Sequence, residues 1–253
     1  MLHQFLSKTG KFASKQDITD AVHAGKVLVD GVAQQDTHYQ FNPNVRNVIY
    51  RGKTLTQVEK VYIVLNKPEK YVCSRLNRPE QDLQKHSVFE LMKKLNLSTR
   101  VEQSLFTVGR LDEDTTGLLL LTNDGDFCNK IINADARIPK VYKVTLRDAI
   151  TDAQHRALKT GVTIDLEQDG VHESYMTRPA KIQIDIENRR IVFITIDEGK
   201  KRQIRRMFES IGNEVVALTR ISIGELTLES HSLKLGECKR VDARISEEIF
   251  QNQ

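Results

Sequence analysis

The stretch from Val108 to Gly125, VGRLDEDTTGLLLLTNDG, constrains this chain more than any other. It sets three carboxylates and two hydroxyls between apolar runs, Phe106-Thr107-Val108-Gly109 before them and Gly117 to Thr122 after. Those flanks have the aliphatic and β-branched content of buried strands, so Asp112, Glu113 and Asp114 fall on a sharply turning loop between two core elements. From the residues alone, three readings of that loop are open. It is a polar surface turn, or it holds one carboxylate as a nucleophile or base, or Asp112 and Asp114 supply oxygen ligands for Mg²⁺. No other acidic cluster in the sequence would complete a two-metal site.

Around this segment the chain alternates short strands and helices. Residues 1–58 read as a small unit of their own. Ser14 with Asp17 signals a helix start, and Lys26-Val27-Leu28-Val29, the Asp30-Gly31 turn and Val48-Ile49-Tyr50 signal strands. The polar stretch Thr54 to Lys60 is the expected linker, and residues 61–253 form the second unit. That unit opens with the apolar strand Val61 to Leu65. It carries an expected helix at Val88 to Leu95, another through Phe127 and Ile131, a strand at Val141 to Leu146 and a helix at Asp152 to Leu158. The hairpin Lys181–Ile186 with Arg190–Ile194 is the clearest β signal, and Ile204, Met207, Phe208 and Ile211 have the spacing of a helix with one buried face. Strands are also expected around Val215 to Leu218 and Glu225 to Leu228. The class is α+β, with a mostly antiparallel mixed sheet and flanking helices in the second unit.

Composition narrows the possibilities further. At 253 residues, with 39% hydrophobic and 28% charged residues, the chain is ordinary for a globular protein and long enough to bury a core without staples. The longest aliphatic run, Leu118 to Leu121, is far below the roughly 20 residues of a membrane span, and the N-terminus lacks a secretory pattern. Three scattered cysteines without a CxxC pair argue against a disulfide framework or cysteine zinc site and suit a reducing cytoplasm, the expected location. No exposed heptad or apolar patch is legible, so a monomer is expected.

Two further segments bear on chemistry. In Asp197 to Phe208, five cations crowd residues 200–206. They start just after Gly199, where backbone N–H groups and side chains together suit phosphates, and Arg205 lies at the margin of the apolar face, where an inward guanidinium needs a carboxylate. Pro139-Lys140-Val141-Tyr142-Lys143-Val144 places an aromatic ring on a strand, where such rings pack half-buried or stack on an unpaired base. The seven histidines have no metal-ligand spacing and no Ser or Cys companion, and neither GxxxxGK[ST] nor GxGxxG occurs.

Taken in order, Leu65-Asn66-Lys67-Pro68, Gly109-Arg110-Leu111-Asp112 with Thr116-Gly117-Leu118, Lys140-Val141-Tyr142-Lys143-Val144, Glu198-Gly199 through Gln203-Ile204-Arg205-Arg206-Met207, Leu218-Thr219-Arg220 and Ile223-Gly224 resemble the RsuA/RluB-type family of bacterial ribosomal RNA pseudouridine synthases. The resemblance spans residues 61 to 245, and residues 1–58 resemble the S4-type RNA-binding domain that many members carry in front. Leu2-His3 and Ser14-Lys15 stand where that domain usually has Arg-Leu and Ser-Arg, and Ile138-Pro139 precedes Lys140 where many members have His and Glu.

The resemblance implies isomerisation of a uridine in ribosomal RNA to its C5-glycoside, with no cofactor and no metal, on ribosomal RNA or a pre-ribosomal particle and away from membranes. It implies Asp112 as the catalytic carboxylate, acting as nucleophile at C1′ or at the base, or by removing a sugar proton. It further implies Tyr142 stacking on the target base, Arg205 paired with Asp112, and Leu218 packed nearby. Arg110, Lys200, Lys201, Arg202 and Arg206 are the implied RNA contacts of the second unit, and Lys8, Lys11, Lys15 and Lys26 those of the first. Lys67-Pro68 followed by Tyr71-Val72-Cys73-Ser74, with Thr115-Thr116-Gly117, looks closest to the type acting on 16S RNA. Two rival functions are a non-catalytic ribosomal RNA-binding or assembly protein and a Mg²⁺-dependent nuclease or phosphotransferase.

Overall fold

The computed structural model describes residues 1–43, 45–76, 81, 83–168 and 171–251. Residues 61–251 are organised on one large sheet. Its main path runs Lys181–Ile184, Ile191–Ile196, Lys140–Leu146, Val215–Ile223, Thr116–Thr122, Tyr62–Lys67 and Cys238–Val241, with Phe106–Thr107 and Leu226–Thr227 attached at the side. Every pairing in it is antiparallel except Thr219-Arg220 beside Thr116-Gly117. The α+β reading is therefore correct.

The central strands explain the unbroken apolar runs. Ile63, Leu65, Leu119 and Leu121 belong to a core cluster on one face, while Tyr62, Val64, Leu118 and Leu120 belong to a separate cluster on the other. Strands covered on both sides need apolar residues at every position. Helix Gln203–Ser210 lies against the first face through Ile204, Met207 and Phe208, and helix Gly125–Ile132 lies against the second through Phe127, Cys128 and Ile131. Asp124 starts the latter helix: one carboxylate oxygen accepts the N–H of Asp126, and the other accepts from Tyr62 at 2.9 Å and Lys60 at 2.7 Å. Burial together with that bond to Asp124 pushes the Tyr62 phenol up to about 12.

The N-terminal residues form a four-stranded sheet ordered Val32–Gln34, Val27–Val29, Val48–Tyr50 and Lys53–Thr54, with helices Leu2–Ser7 and Lys15–His23. Its own core includes Leu2, Phe5, Leu6, Ile18, Val22 and Val27. Ser14 caps the second helix and Asp17 reciprocates, as the spacing predicts. This unit is seated on the rest through Arg100, whose guanidinium donates to the carbonyls of Thr9 at 3.2 Å and Thr56 at 2.6 Å. The backbone of Gly10 has φ +60° at that contact, and a Cβ there would overlap the Arg100 carbonyl.

Several expectations shift in detail. The helix expected at Val88–Leu95 is a 3₁₀ segment, and the strand expected around Val215–Leu218 continues to Ile223. Helix Thr99–Ser104, hairpin Thr163–Gln168 with Val171–Met176, edge strand Cys238–Val241 and helix Ile245–Phe250 have no counterpart in the sequence reading.

Candidate active site

The acidic loop leaves the short strand Phe106–Thr107 and enters Thr116–Thr122, and it is pinned from behind. Lys67, the last residue of strand Tyr62–Lys67, is fully buried. Its Nζ donates to the carbonyls of Thr115 at 2.8 Å, Pro68 at 3.0 Å and Glu113 at 3.3 Å. Burial lowers the pKa of this amine, while the Cys73 thiol and the carboxylates of Asp114, Asp112 and Glu113 oppose that shift. The backbone N–H of Lys70 also donates to Glu113 O at 2.9 Å, and Lys85 pairs with the Glu113 carboxylate at 2.9 Å. On the other flank Cys73 accepts the Leu111 N–H at 3.4 Å and donates to its carbonyl at 3.3 Å. Asp112 is thus the half-buried residue between two fixed flanks, and its carboxylate accepts no hydrogen bond from any described residue.

The close approach of the two parallel strands sets the loop's far end. Gly117 has φ +103°, and a Cβ there would overlap the backbone of Arg220. Only glycine fits both demands.

Asp112 faces a cavity of 510 Å³. Gly109 to Glu113, Tyr142, Leu218 and the basic loop Gly199 to Arg202 line it, so Asp112, Tyr142, Leu218, Arg110, Lys200, Lys201 and Arg202 come together from widely separated parts of the chain. Tyr142 and Leu218 are buried, whereas Arg110, Lys201 and Arg202 are exposed cations at the mouth.

Glu198 holds the basic loop. It accepts the Tyr175 hydroxyl at 2.6 Å, the Arg178 N–H at 3.1 Å and the Gln203 side-chain amide. Lys200 Nζ sits 4.6 Å from the centre of the Tyr175 ring. The Lys200 N–H is already taken by Gln203 Oε1 at 2.9 Å, so its side chain rather than its amide is available to a ligand.

Arg205 departs from expectation. It does turn inward, with 14% of its side chain exposed, but its partner is Asp114 and not Asp112. Its guanidinium lies 3.1 Å from the Asp114 carboxylate, 3.1 Å from the Asp114 carbonyl oxygen and 2.9 Å from the carbonyl of Val215. Arg202 takes the same carboxylate at 3.2 Å. The physical reason is the turn at Asp112, whose carbonyl accepts the Thr115 N–H at 3.1 Å. Inside that turn Asp114 points at the helix and Asp112 at the cavity. With two guanidinium groups on it, the Asp114 carboxylate is charge-neutralised where it stands, and among the described residues no three acidic, histidine or cysteine side chains cluster as metal ligands.

Among the other expected contacts, Arg206 is half-buried, with one guanidinium nitrogen buried and without a hydrogen-bond partner among the described residues, and it does not line the Asp112 cavity. Lys8 and Lys15 line a different cavity, of 510 Å³, where the N-terminal unit meets Arg75, Phe106, Asn123 and Asp126. Lys11 and Lys26 are exposed and line neither cavity. Lys67, Glu198 and Arg220 were not among the expected site residues. The signal for Lys67 was its place at the end of a strand apolar on both faces, where a lysine has no solvent to reach.

A cavity walled by cations, with a carboxylate and a buried aromatic ring inside it, is suited to a polyanionic, base-bearing ligand. The chain belongs to the RNA pseudouridylate synthase family, whose model matches residues 61–210, and it is an RNA pseudouridine synthase of the RsuA type, an isomerase. It is 31% identical over 224 residues to ribosomal small subunit pseudouridine synthase A of Vibrio cholerae, covering 88% of each chain. The enzyme of that name from Escherichia coli K12 is 33% identical over 210 residues, 83% of each chain. Bacillus subtilis YtzG, an uncharacterized RNA pseudouridine synthase, is 32% identical over 90% of this chain and 89% of its own. A crystal structure of a pseudouridylate synthase superposes with a TM-score of 0.65 at 28% identity, covering 98% of both chains. Among the described residues no helix is long and apolar enough to cross a membrane.

Proposed function

We propose that this protein isomerises one uridine of ribosomal RNA, in the small-subunit 16S molecule, with Asp112 as the catalytic carboxylate. The observation that carries the reading is the cavity shared by Asp112 and Tyr142. A uridine inside stacked RNA is out of reach, so the base must leave the stack at a cost of a few kcal/mol, and stacking on an aromatic side chain returns about 1–3 kcal/mol. Tyr142 supplies that ring. Arg110, Lys200, Lys201 and Arg202 supply the phosphate attraction that draws the strand to the cavity mouth.

The reaction breaks the N1–C1′ bond and forms C5–C1′; C5 loses a proton and N1 gains one. Atoms balance without any co-reactant. Asp112 acts at the first bond change, as nucleophile or as the base for a sugar proton, and the Tyr142 hydroxyl assists removal of the C5 proton. Among the described residues none donates a hydrogen bond to the Asp112 carboxylate, so no such bond has to break before it acts. Arg205 acts on the site through Asp114 and is a positioning residue. The choice of 16S RNA rests on the small-subunit enzymes among the relatives. Residues 1–58 serve as an S4-like RNA-binding domain that presents Lys8, Lys11, Lys15 and Lys26. The protein acts as a monomer in the cytoplasm.

The test is to map pseudouridines by chemical modification and reverse transcription in ribosomal RNA from a deletion strain and its parent. One 16S site disappears in the deletion strain and returns with the wild-type gene but not with Asp112→Asn. A lost site in 23S RNA, or return with the variant, contradicts the reading.

A further inference from the structure

Tyr142 stands between two cavities. Beyond the one that holds Asp112 is a second, of 340 Å³, whose charged lining is Arg110, Lys140, Arg178, Lys200, Arg220 and the two carboxylates Asp197 and Glu198. Both carboxylates are engaged. Asp197 lies 3.5 Å from Arg178, and Glu198 is held by Tyr175, Gln203 and the Arg178 N–H. Lys200 rests over the Tyr175 ring.

Arg110 and Lys200 are exposed at the mouth, which leaves Arg220 and the half-buried Lys140 as the enclosed cations with no carboxylate partner among the described residues. Arg220, on strand Val215–Ile223 opposite Tyr142, is only 3% exposed. Its Nε donates to the Leu118 carbonyl at 2.8 Å, but its Nη2 is buried with no hydrogen-bond partner among the described residues. Lys140, on the same face of its strand as Tyr142, donates to the Ile138 carbonyl at 2.9 Å. Burial and then the neighbouring Arg220 bring its amine down to about 8, with Asp197 opposing. A buried guanidinium beside a second cation is costly unless an anion completes the group.

We propose that this cavity is a phosphate subsite, in which Arg220 and Lys140 hold a backbone phosphate of the RNA strand next to the nucleotide whose base enters the Asp112 cavity. The inference rests on the catalytic reading of that neighbouring cavity. Three things support it. The two cavities share Gly109, Arg110, Tyr142, Gly199 and Lys200, so a strand whose base stacks on Tyr142 has a phosphate within reach of the far side. A phosphate is the anion that a guanidinium fork and an ammonium recognise together. And it is present on every substrate of this enzyme, so the missing counter-charge arrives with the RNA.

The test uses the full-length protein and a synthetic oligoribonucleotide carrying the mapped uridine, with one neutral methylphosphonate at each linkage in turn. For the wild type, one linkage beside the uridine raises KM about tenfold or more while kcat for tritium release from C5 stays within threefold. Lys140→Gln raises KM similarly on the unmodified strand, gains no further penalty from that one methylphosphonate, and is rescued by Lys140→Arg. Kd by fluorescence anisotropy follows the same pattern without turnover, and the slope of log Kd against log salt falls by about 0.7 for the lost contact. If Lys140→Gln leaves KM and Kd unchanged, or its effect multiplies with the methylphosphonate at every linkage, there is no phosphate at this subsite. Normal turnover by Asp112→Asn would overturn the catalytic reading, and this inference with it.

Discussion

Arg205 holds Asp114 at two points, 3.1 Å from its carboxylate and 3.1 Å from its backbone carbonyl, and so ties helix Gln203–Ser210 to the loop that presents Asp112. The arrangement leaves the Asp112 carboxylate facing the cavity while its neighbour two residues on takes the ion pairs.

Asp114→Asn should therefore separate positioning from catalysis. Asp114 is half exposed, and an ion pair with that much solvent contributes about 1 kcal/mol or less to stability. Unfolding in urea is expected to change little, while single-turnover tritium release from C5-labelled uridine falls about tenfold, equivalent to roughly 1.4 kcal/mol of barrier. Unchanged release would mean that the Arg205 clamp does not govern the loop.

Lys67→Met removes the donor that serves three carbonyls behind the loop. Unpaired buried acceptors cost about 1–3 kcal/mol each, partly offset because a buried charge also disappears. A net loss of about 1–3 kcal/mol in urea unfolding is expected, with at least a tenfold lower kcat. Stability lost with full activity would show that the loop keeps its shape without this lysine.

Gly117→Ala tests the strand crossing. The substitution forces a side chain into positive φ and into the Arg220 backbone at the point where the parallel strands touch. It should cost about 3 kcal/mol or more, seen as a collapse of soluble yield or a large fall in the unfolding midpoint. A near-neutral result would mean that the strands separate easily there.

Lys140 gives a pH signature with a defined sign. Its folded value of about 8 lies below the ordinary 10.5, so between those values the unfolded chain binds more protons and stability rises with pH. Burial moves the thiols of Cys73, Cys128 and Cys238 upward, which gives the opposite slope at high pH. Subtracting the stability curve of Lys140→Met removes the cysteine contribution, since both proteins share it. The difference should rise in favour of the wild type from about pH 8 toward 10. A flat difference would mean that Lys140 titrates as an ordinary exposed lysine.

Legibility in the sequence followed the strength of local signals. The helix through Ile204, Met207 and Phe208 has one apolar face, and helix Lys15–His23 has its Ser14–Asp17 cap, so both are readable in the sequence. Hairpin Thr163–Gln168 with Val171–Met176 is not: TIDLEQ alternates over only two apolar positions, Ile164 and Leu166, and its partner VHESYM has no alternation to match it. Edge strand Cys238–Val241, CKRV, is recruited by the backbone of Tyr62–Lys67 rather than by its own pattern. The gathering of Asp112, Tyr142 and Leu218 agrees with what the ordered motifs imply. Which carboxylate Arg205 would meet was not legible. Asp112 and Asp114 have the same side chain, and the choice depends on a turn pinned by Lys67, some forty-five residues earlier in the chain.

The proposed function stands or falls on the Asp112 oxygen. Its most direct measurement is stoichiometric tritium release from C5-labelled uridine in 16S RNA under single-turnover conditions, with wild type and Asp112→Asn compared at matched RNA occupancy. Release is expected from the wild type and none above background from the variant, with RNA affinity retained within about threefold. Release by Asp112→Asn at a rate near that of the wild type would contradict the proposed function.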